Sequence, residues 1–156
     1  MGEDDDIARS VQVNGWHCIA VEESSNEPRF AYTIGLGVTF QHPEIVVVGL
    51  STEIAHQLLA DVADDLRKGI RCSADAKRDD LLEGLSVAFR PVHPTQIDAR
   101  MGYTKAFYRN SHPGFAWAVL QLYWPDKRGH FPFEPGCDLK VCLLQPRLEI
   151  PWVSTD

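Results

Sequence analysis

The sequence predicts an α+β fold: one domain, residues 1–156, with a mostly antiparallel sheet of about five or six strands packed by one long helix and one or two shorter ones. Three observations predict it. Phe30-Ala-Tyr-Thr-Ile-Gly-Leu36 and Glu44-Ile-Val-Val-Val-Gly-Leu50 are short apolar runs bounded by turn residues, the pattern of buried strands. Ser51 to Gly69 carries apolar residues at helical spacing. Further strand-like runs, Trp16 to Glu22, Leu85 to Val92 and Phe115 to Trp124, are distributed along the chain between polar, Pro- and Gly-containing connections.

Taken in order, residues 3–13 read as a short helix with acidic residues at its positive end, stopped by Asn14-Gly15. Trp16 to Glu22 is a strand, and Glu23-Ser-Ser-Asn-Glu-Pro28 is its turn. In the next strand Phe30, Tyr32, Ile34 and Leu36 share one face, while the small Ala31, Thr33 and Gly35 share the other. Glu44 to Leu50 is nearly continuously apolar, as expected of a central strand covered on both sides. Ser51 caps the clearest helix, with Ile54, Leu58, Leu59, Val62 and Leu66 on its buried stripe and Gly69 past its end. Residues 70–83 are polar, a loop with a short strand. Pro91 assigns Leu85–Val92 to an edge or a strand end. Pro94 to Arg109 is helical with a break at Gly102, Pro125 to Gly129 is a turn, and Asp138 to Leu144 is a short helix.

Composition narrows the function classes. Apolar residues are 44% and charged residues 24% of the chain, as in an ordinary globule. A net charge of −7 argues against nucleic acid and anionic lipid as partners. Cys18, Cys72, Cys137 and Cys142 have no C-x-x-C spacing. The acidic start has no apolar stretch behind it, so no signal peptide is expected, and no run is long enough to span a membrane. Cytoplasmic localisation is the expectation.

His42 and Glu44 flank Pro43, which biases His42 toward an extended backbone. Positions two apart on such a backbone share a side, so imidazole and carboxylate would converge as a base and its orienter. The plainer reading is that His42 closes the turn and Glu44 pairs with a cation such as Arg90. His17 is a third catalytic candidate, facing the same space as Tyr32. Arg90, on a strand among apolar neighbours, needs an anionic partner: Glu44, Asp126 or a ligand. Gln121 and Trp124 add an amide and a flat apolar surface, so Tyr32, Thr33, Arg90, Gln121, Trp124 and Asp126 form the candidate ligand-binding set. No metal is predicted, because zinc would need His17, His42, Glu44 and His130 to be gathered by the sheet. No cofactor is predicted either: Ile34-Gly-Leu-Gly37 supplies only two glycines and no helix is expected after it. A flavin-binding split barrel is a fold-level analogy only.

Gly15-Trp-His17, Phe30 to Leu36, His42-Pro-Glu44, Asp80-Leu-Leu-Glu-Gly84, Arg90-Pro-Val92, Leu120-Gln-Leu-Tyr-Trp-Pro-Asp126 and Gly129-His-Phe-Pro132 together resemble an uncharacterised bacterial family, domain of unknown function 4262. Ile45 stands where that family commonly has Leu, and Phe133 where it often has Trp. The resemblance implies a bacterial, cytoplasmic, single-domain protein and supplies no activity. From the residues themselves, the leading expectation is a binding or accessory protein holding a small anionic ligand, a peptide or a protein partner. The alternative is a hydrolase or transferase using His42 and Glu44. Exposed aromatics are compatible with a homodimer.

Overall fold

The computed structural model describes residues 2–82 and 84–153; Glu83, part of the Asp80–Gly84 motif, lies outside the described residues. Six strands form one sheet: β1 (His17–Val21), β2 (Phe30–Ile34), β3 (Glu44–Val48), β4 (Lys77–Leu82), β5 (Leu85–Pro91) and β6 (Val119–Tyr123). Their order is β1-β2-β3-β6-β5-β4, and every neighbouring pair is antiparallel except β3 with β6. The described residues also contain six helices: α1 (Glu3–Asn14), α2 (Leu36–Phe40), α3 (Thr52–Arg67), α4 (Pro94–Arg100), α5 (Gly102–Ser111) and α6 (Leu139–Leu144).

Side-chain alternation on β3 explains why that run is apolar throughout. Ile45 and Val47 join Ala31, Phe89 and Leu122 beneath the Leu58–Leu59–Val62 stripe of α3. Val46 and Val48 face the other way, toward Phe30 and Tyr32, Ile7 and Val11 of α1, and Phe107 and Tyr108 of α5. Both faces are covered, so neither can be polar. Helix α3 starts as its sequence requires, with the Ser51 hydroxyl accepting from the Ile54 N–H.

Three sequence expectations change. The described residues hold more helices than the two or three expected: α2 is too short to develop a periodic signal, and the helical stretch from Pro94 is divided into α4 and α5. The strand beginning at Phe30 stops at Ile34: Gly35 adopts φ 108°, where a Cβ would lie 2.8 Å from a Val11 methyl. That turn starts α2, the helix not expected after Ile34-Gly-Leu-Gly37. The run Phe115–Trp124 is regular only over Val119–Tyr123, leaving residues 115–118 outside the sheet. Of the two positions expected for Pro91, the structure has the strand end: β5 is an interior strand between β4 and β6, and Pro91 is its last residue.

Buried glutamines attach the C-terminal segment. Gln121 donates to Pro146 O (3.0 Å) and accepts from Leu148 N (2.9 Å). Gln145 accepts from Trp124 N (3.0 Å) and donates to Trp124 O (2.8 Å). The Gln145 amide satisfies two backbone groups just past the end of β6, and the Gln121 amide two in the C-terminal segment, none of which has a strand to pair with. No described helix is long and apolar enough to cross a membrane.

Candidate functional site

The first residue of β3 brings a carboxylate into the interior. Glu44 is fully buried, and its two oxygens receive five hydrogen bonds. Oε1 accepts from the Thr33 hydroxyl (2.7 Å) and Leu36 N (3.1 Å). Oε2 accepts from Gly35 N and Gly37 N (both 3.1 Å) and from the Tyr108 hydroxyl. The backbone donors are the unsatisfied N–H groups at the start of α2, a site that favours an anion. Here the anion is the protein's own. Burial pushes the Glu44 carboxyl above the ordinary carboxylate range, while Tyr108, Thr33, Gly37 and Leu36 pull it down. Thr33 also accepts from Ile45 N (2.9 Å), fixing its hydroxyl as a donor toward the carboxylate.

This cage depends on a close approach. A Cβ on Gly37 would lie 2.5 Å from the Tyr108 hydroxyl and 3.1 Å from the Phe115 ring. Tyr108 in turn stacks with Trp117 (centroids 4.9 Å, 14°) and with Phe115 (5.6 Å, 13°). The aromatic segment ahead of β6 is therefore held by a side chain that is itself held by Glu44.

His42 is buried beside the cage but is engaged elsewhere. Nδ1 lies 2.8 Å from Pro43 O, and Cys72 N donates to Nε2 at 3.0 Å. Nε2 also lies 2.9 Å from Cys72 O, so the ring nitrogens face two carbonyls as well as the Cys72 N–H. Burial lowers the pKa of His42 from its ordinary value. The neighbouring Arg71 guanidinium donates to Phe40 O (2.9 Å) and to Gln41 O, closing the same turn, in which Gln41 has φ 54°. His42 and Glu44 thus do not pair with each other. The imidazole ties residues 71–72 to the start of β3, and the carboxylate organises α2.

Between these two turns lies an open cleft of about 370 Å³. Gly37, Gln41, His42 and Pro43 form one wall; Phe115, Ala116, Trp117 and Ala118 form the other. Glu44 N takes Ala118 O (2.9 Å), and the β3–β6 ladder begins there. Upstream, the N–H and C=O groups of Ala116 and Trp117 have no hydrogen-bond partner among the described residues.

Thr33 and Glu44 are gathered as one site, with His42 adjoining. Most of the other expected residues lie apart from it. Tyr32 lies on the sheet face packed by α1 and α5, further along β2, is pushed up to about 12 by burial, and lines a different hollow with Arg100 and Tyr103. Arg90 pairs with neither Glu44 nor Asp126. It lies 3.3 Å from Asp75, 3.8 Å from Glu149 and 3.9 Å from the Phe133 ring centre. Gln121 holds the C-terminal segment, and Trp124 donates to Val48 O (2.8 Å). Asp126 accepts from the N–H groups of Arg128, His130 and Asp138 (each 2.9 Å), organising its turn. His17 is half-buried at the start of β1, and His130 lies 3.7 Å from Asp126. Among the described residues, no three His, Cys, Asp or Glu side chains are grouped to hold a metal ion. The residues missed from sequence are Gly37, Gln41, Tyr108, Phe115 and Trp117. Gly35-Leu-Gly37 directly after a strand is a local signal for a helix N-terminus; nothing local marks Tyr108 as its partner.

An α+β domain with a caged interior carboxylate and an aromatic-walled cleft is the class that these features define. The chain belongs to the family described as domain of unknown function DUF4262, whose model matches residues 10–138, a span that includes the cage and the cleft. No curated protein and no solved structure matches it.

Two predictions follow from this geometry. Gly37→Ala should lower stability by about 2 kcal/mol through overpacking against Tyr108 and Phe115, measured by urea unfolding. Helix propensity alone would change stability by about 1 kcal/mol in the other direction, so a stabilised variant would contradict the close approach. For His42, a folded-state pKa below the unfolded value of about 6.5 means that the unfolded chain binds more protons in acid. The stabilisation from neutral His42 is then complete above about pH 6.5 and lost as pH falls through the folded value. His17 is lowered in the same direction by burial, so the difference between wild type and His42→Gln isolates His42. The variant should lose less Tm than wild type on going from about pH 7 to pH 5; parallel Tm–pH curves would contradict the assignment.

Proposed function

We propose that this chain is a bacterial, cytoplasmic, non-enzymatic binding protein that takes an extended peptide segment of a partner protein into the cleft between Gln41–Pro43 and Phe115–Ala118. The observation that carries this reading is the unpaired backbone of Ala116 and Trp117, set beside two aromatic faces at the open end of the β3–β6 ladder. An extended peptide would satisfy those N–H and C=O groups as an added strand, while Phe115 and Trp117 supply apolar area and orientation. Phe115 is exposed and Trp117 half-buried, so both present surface to an arriving chain. Four free thiols fit a reducing compartment.

A hydrolase or transferase worked by His42 and Glu44 has less support. Both imidazole nitrogens and both carboxylate oxygens are already occupied by partners within the chain.

The test is selection of displayed random nonapeptides on the purified protein, followed by amide hydrogen exchange of a complex. The reading expects enriched peptides that slow exchange at Ala116 and Trp117. Ala116→Pro, which removes one N–H at an exposed position, should weaken binding about tenfold, while Ala116→Ser should not. Peptides that protect a different surface, or no enrichment, would overturn the reading.

A further inference from the structure

A second hollow adjoins the cleft across the same aromatic wall. It encloses about 230 Å³ and is lined by Lys105, Tyr108, Arg109, His112, Gly114, Phe115 and Trp117. Phe115 and Trp117 therefore line both spaces, so a chain bound along residues 115–118 would lie beside both.

We infer that the partner segment is acidic, and that an Asp or Glu side chain of it enters this second hollow to meet Arg109 and Lys105. This deepens the peptide-binding reading above and rests on it. The charge distribution carries the inference. The chain has a net charge of −7, yet the lining residues include two cations and a histidine and no carboxylate. Lys105 is 2.6 Å from Asp98, an exposed neighbour that does not line the hollow. Arg109 is exposed and makes no ion pair among the described residues. Its position in the last turn of α5 suits the negative end of that helix. That role alone requires no aromatic-walled space in front of the guanidinium. A carboxylate placed there would receive two parallel N–H bonds from Arg109, the arrangement that distinguishes arginine from a point charge. Its approach would be favoured by the absence of any competing acid on the hollow's walls.

The selected nonapeptides test this directly. Those enriched on wild type should share an acidic residue at a fixed distance from the segment that protects Ala116 and Trp117. Replacing that residue by Gln or Asn in a fluorescein-labelled synthetic peptide, amidated at its C-terminus, should weaken binding at least tenfold. Repeating the selection on Arg109→Glu, with folding checked by Tm, should replace the acidic preference with Lys or Arg at the same position. Peptides that protect Ala116 and Trp117 without an acidic preference would overturn this inference and leave the peptide reading intact. An acidic preference unchanged in Arg109→Glu, or binding that is lost on amidation and so depends on the peptide's terminal carboxylate, would also overturn it. No enriched peptide at all would remove both.

Discussion

A carboxylate taken wholly out of water is the constraint from which this architecture follows. Transferring an ionised group into a protein interior costs several kcal/mol unless donors replace its water. Glu44 cannot find them on its own strand, where neighbouring residues are apolar. The chain supplies them from three other places: Thr33 on β2, the buried first turn of α2, and Tyr108 on α5. Each requirement fixes a backbone feature. Gly35 takes a left-handed turn to aim successive N–H groups at one point, and Gly37 lacks a side chain so that Tyr108 can come close. Thr33 occupies the face of β2 that is otherwise made of small residues.

The same network connects interior chemistry to an exterior surface. Tyr108 is both a ligand of the carboxylate and the ring with which Phe115 and Trp117 stack. The cleft wall is thereby referenced to the start of β3, and its opposite wall is held by His42 and Arg71 through backbone groups of residues 40, 41, 43 and 72. Through these hydrogen bonds Glu44, His42 and Arg71 position two short loops. In the peptide-binding role we propose, walls fixed this way would lose little entropy on binding, which is how preorganisation contributes to affinity.

Local patterns made most of the fold legible. The continuous apolar run of β3, the α3 stripe with its Ser51 cap, and the break at Gly102 are properties of adjacent residues, and each matches the structure. Helix α2 was not legible because five residues give no period, although Gly35-Leu-Gly37 contains its turn chemistry. The candidate site was partly legible: Thr33, His42 and Glu44 stand out as polar residues within or beside apolar strands. What they touch was not, because their partners are distant in the chain or are backbone atoms. Tyr108 is 64 residues from Glu44, and Cys72 is 30 from His42. Arg90 illustrates the opposite failure. Its need for an anion is legible, but Asp75 and Glu149 supply it from a loop and the C-terminal segment, neither marked by any pattern. Gln121 and Asp126 stand out in the sequence for their polar atoms and Trp124 for its flat apolar surface, and the polar atoms of all three go to backbone groups.

The central claim is that the cage is built for a carboxylate. Equilibrium urea unfolding of Glu44→Gln against wild type at neutral pH tests it most directly. Gln has the shape of the protonated acid, and in either amide orientation its NH₂ would face at least one backbone N–H now donating to Glu44. A loss of about 3 kcal/mol or more is expected, with faster amide exchange at Gly35, Leu36 and Gly37. A variant as stable as wild type, with those amides still protected, would mean that the site holds a neutral acid and that the carboxylate does not organise the fold around it.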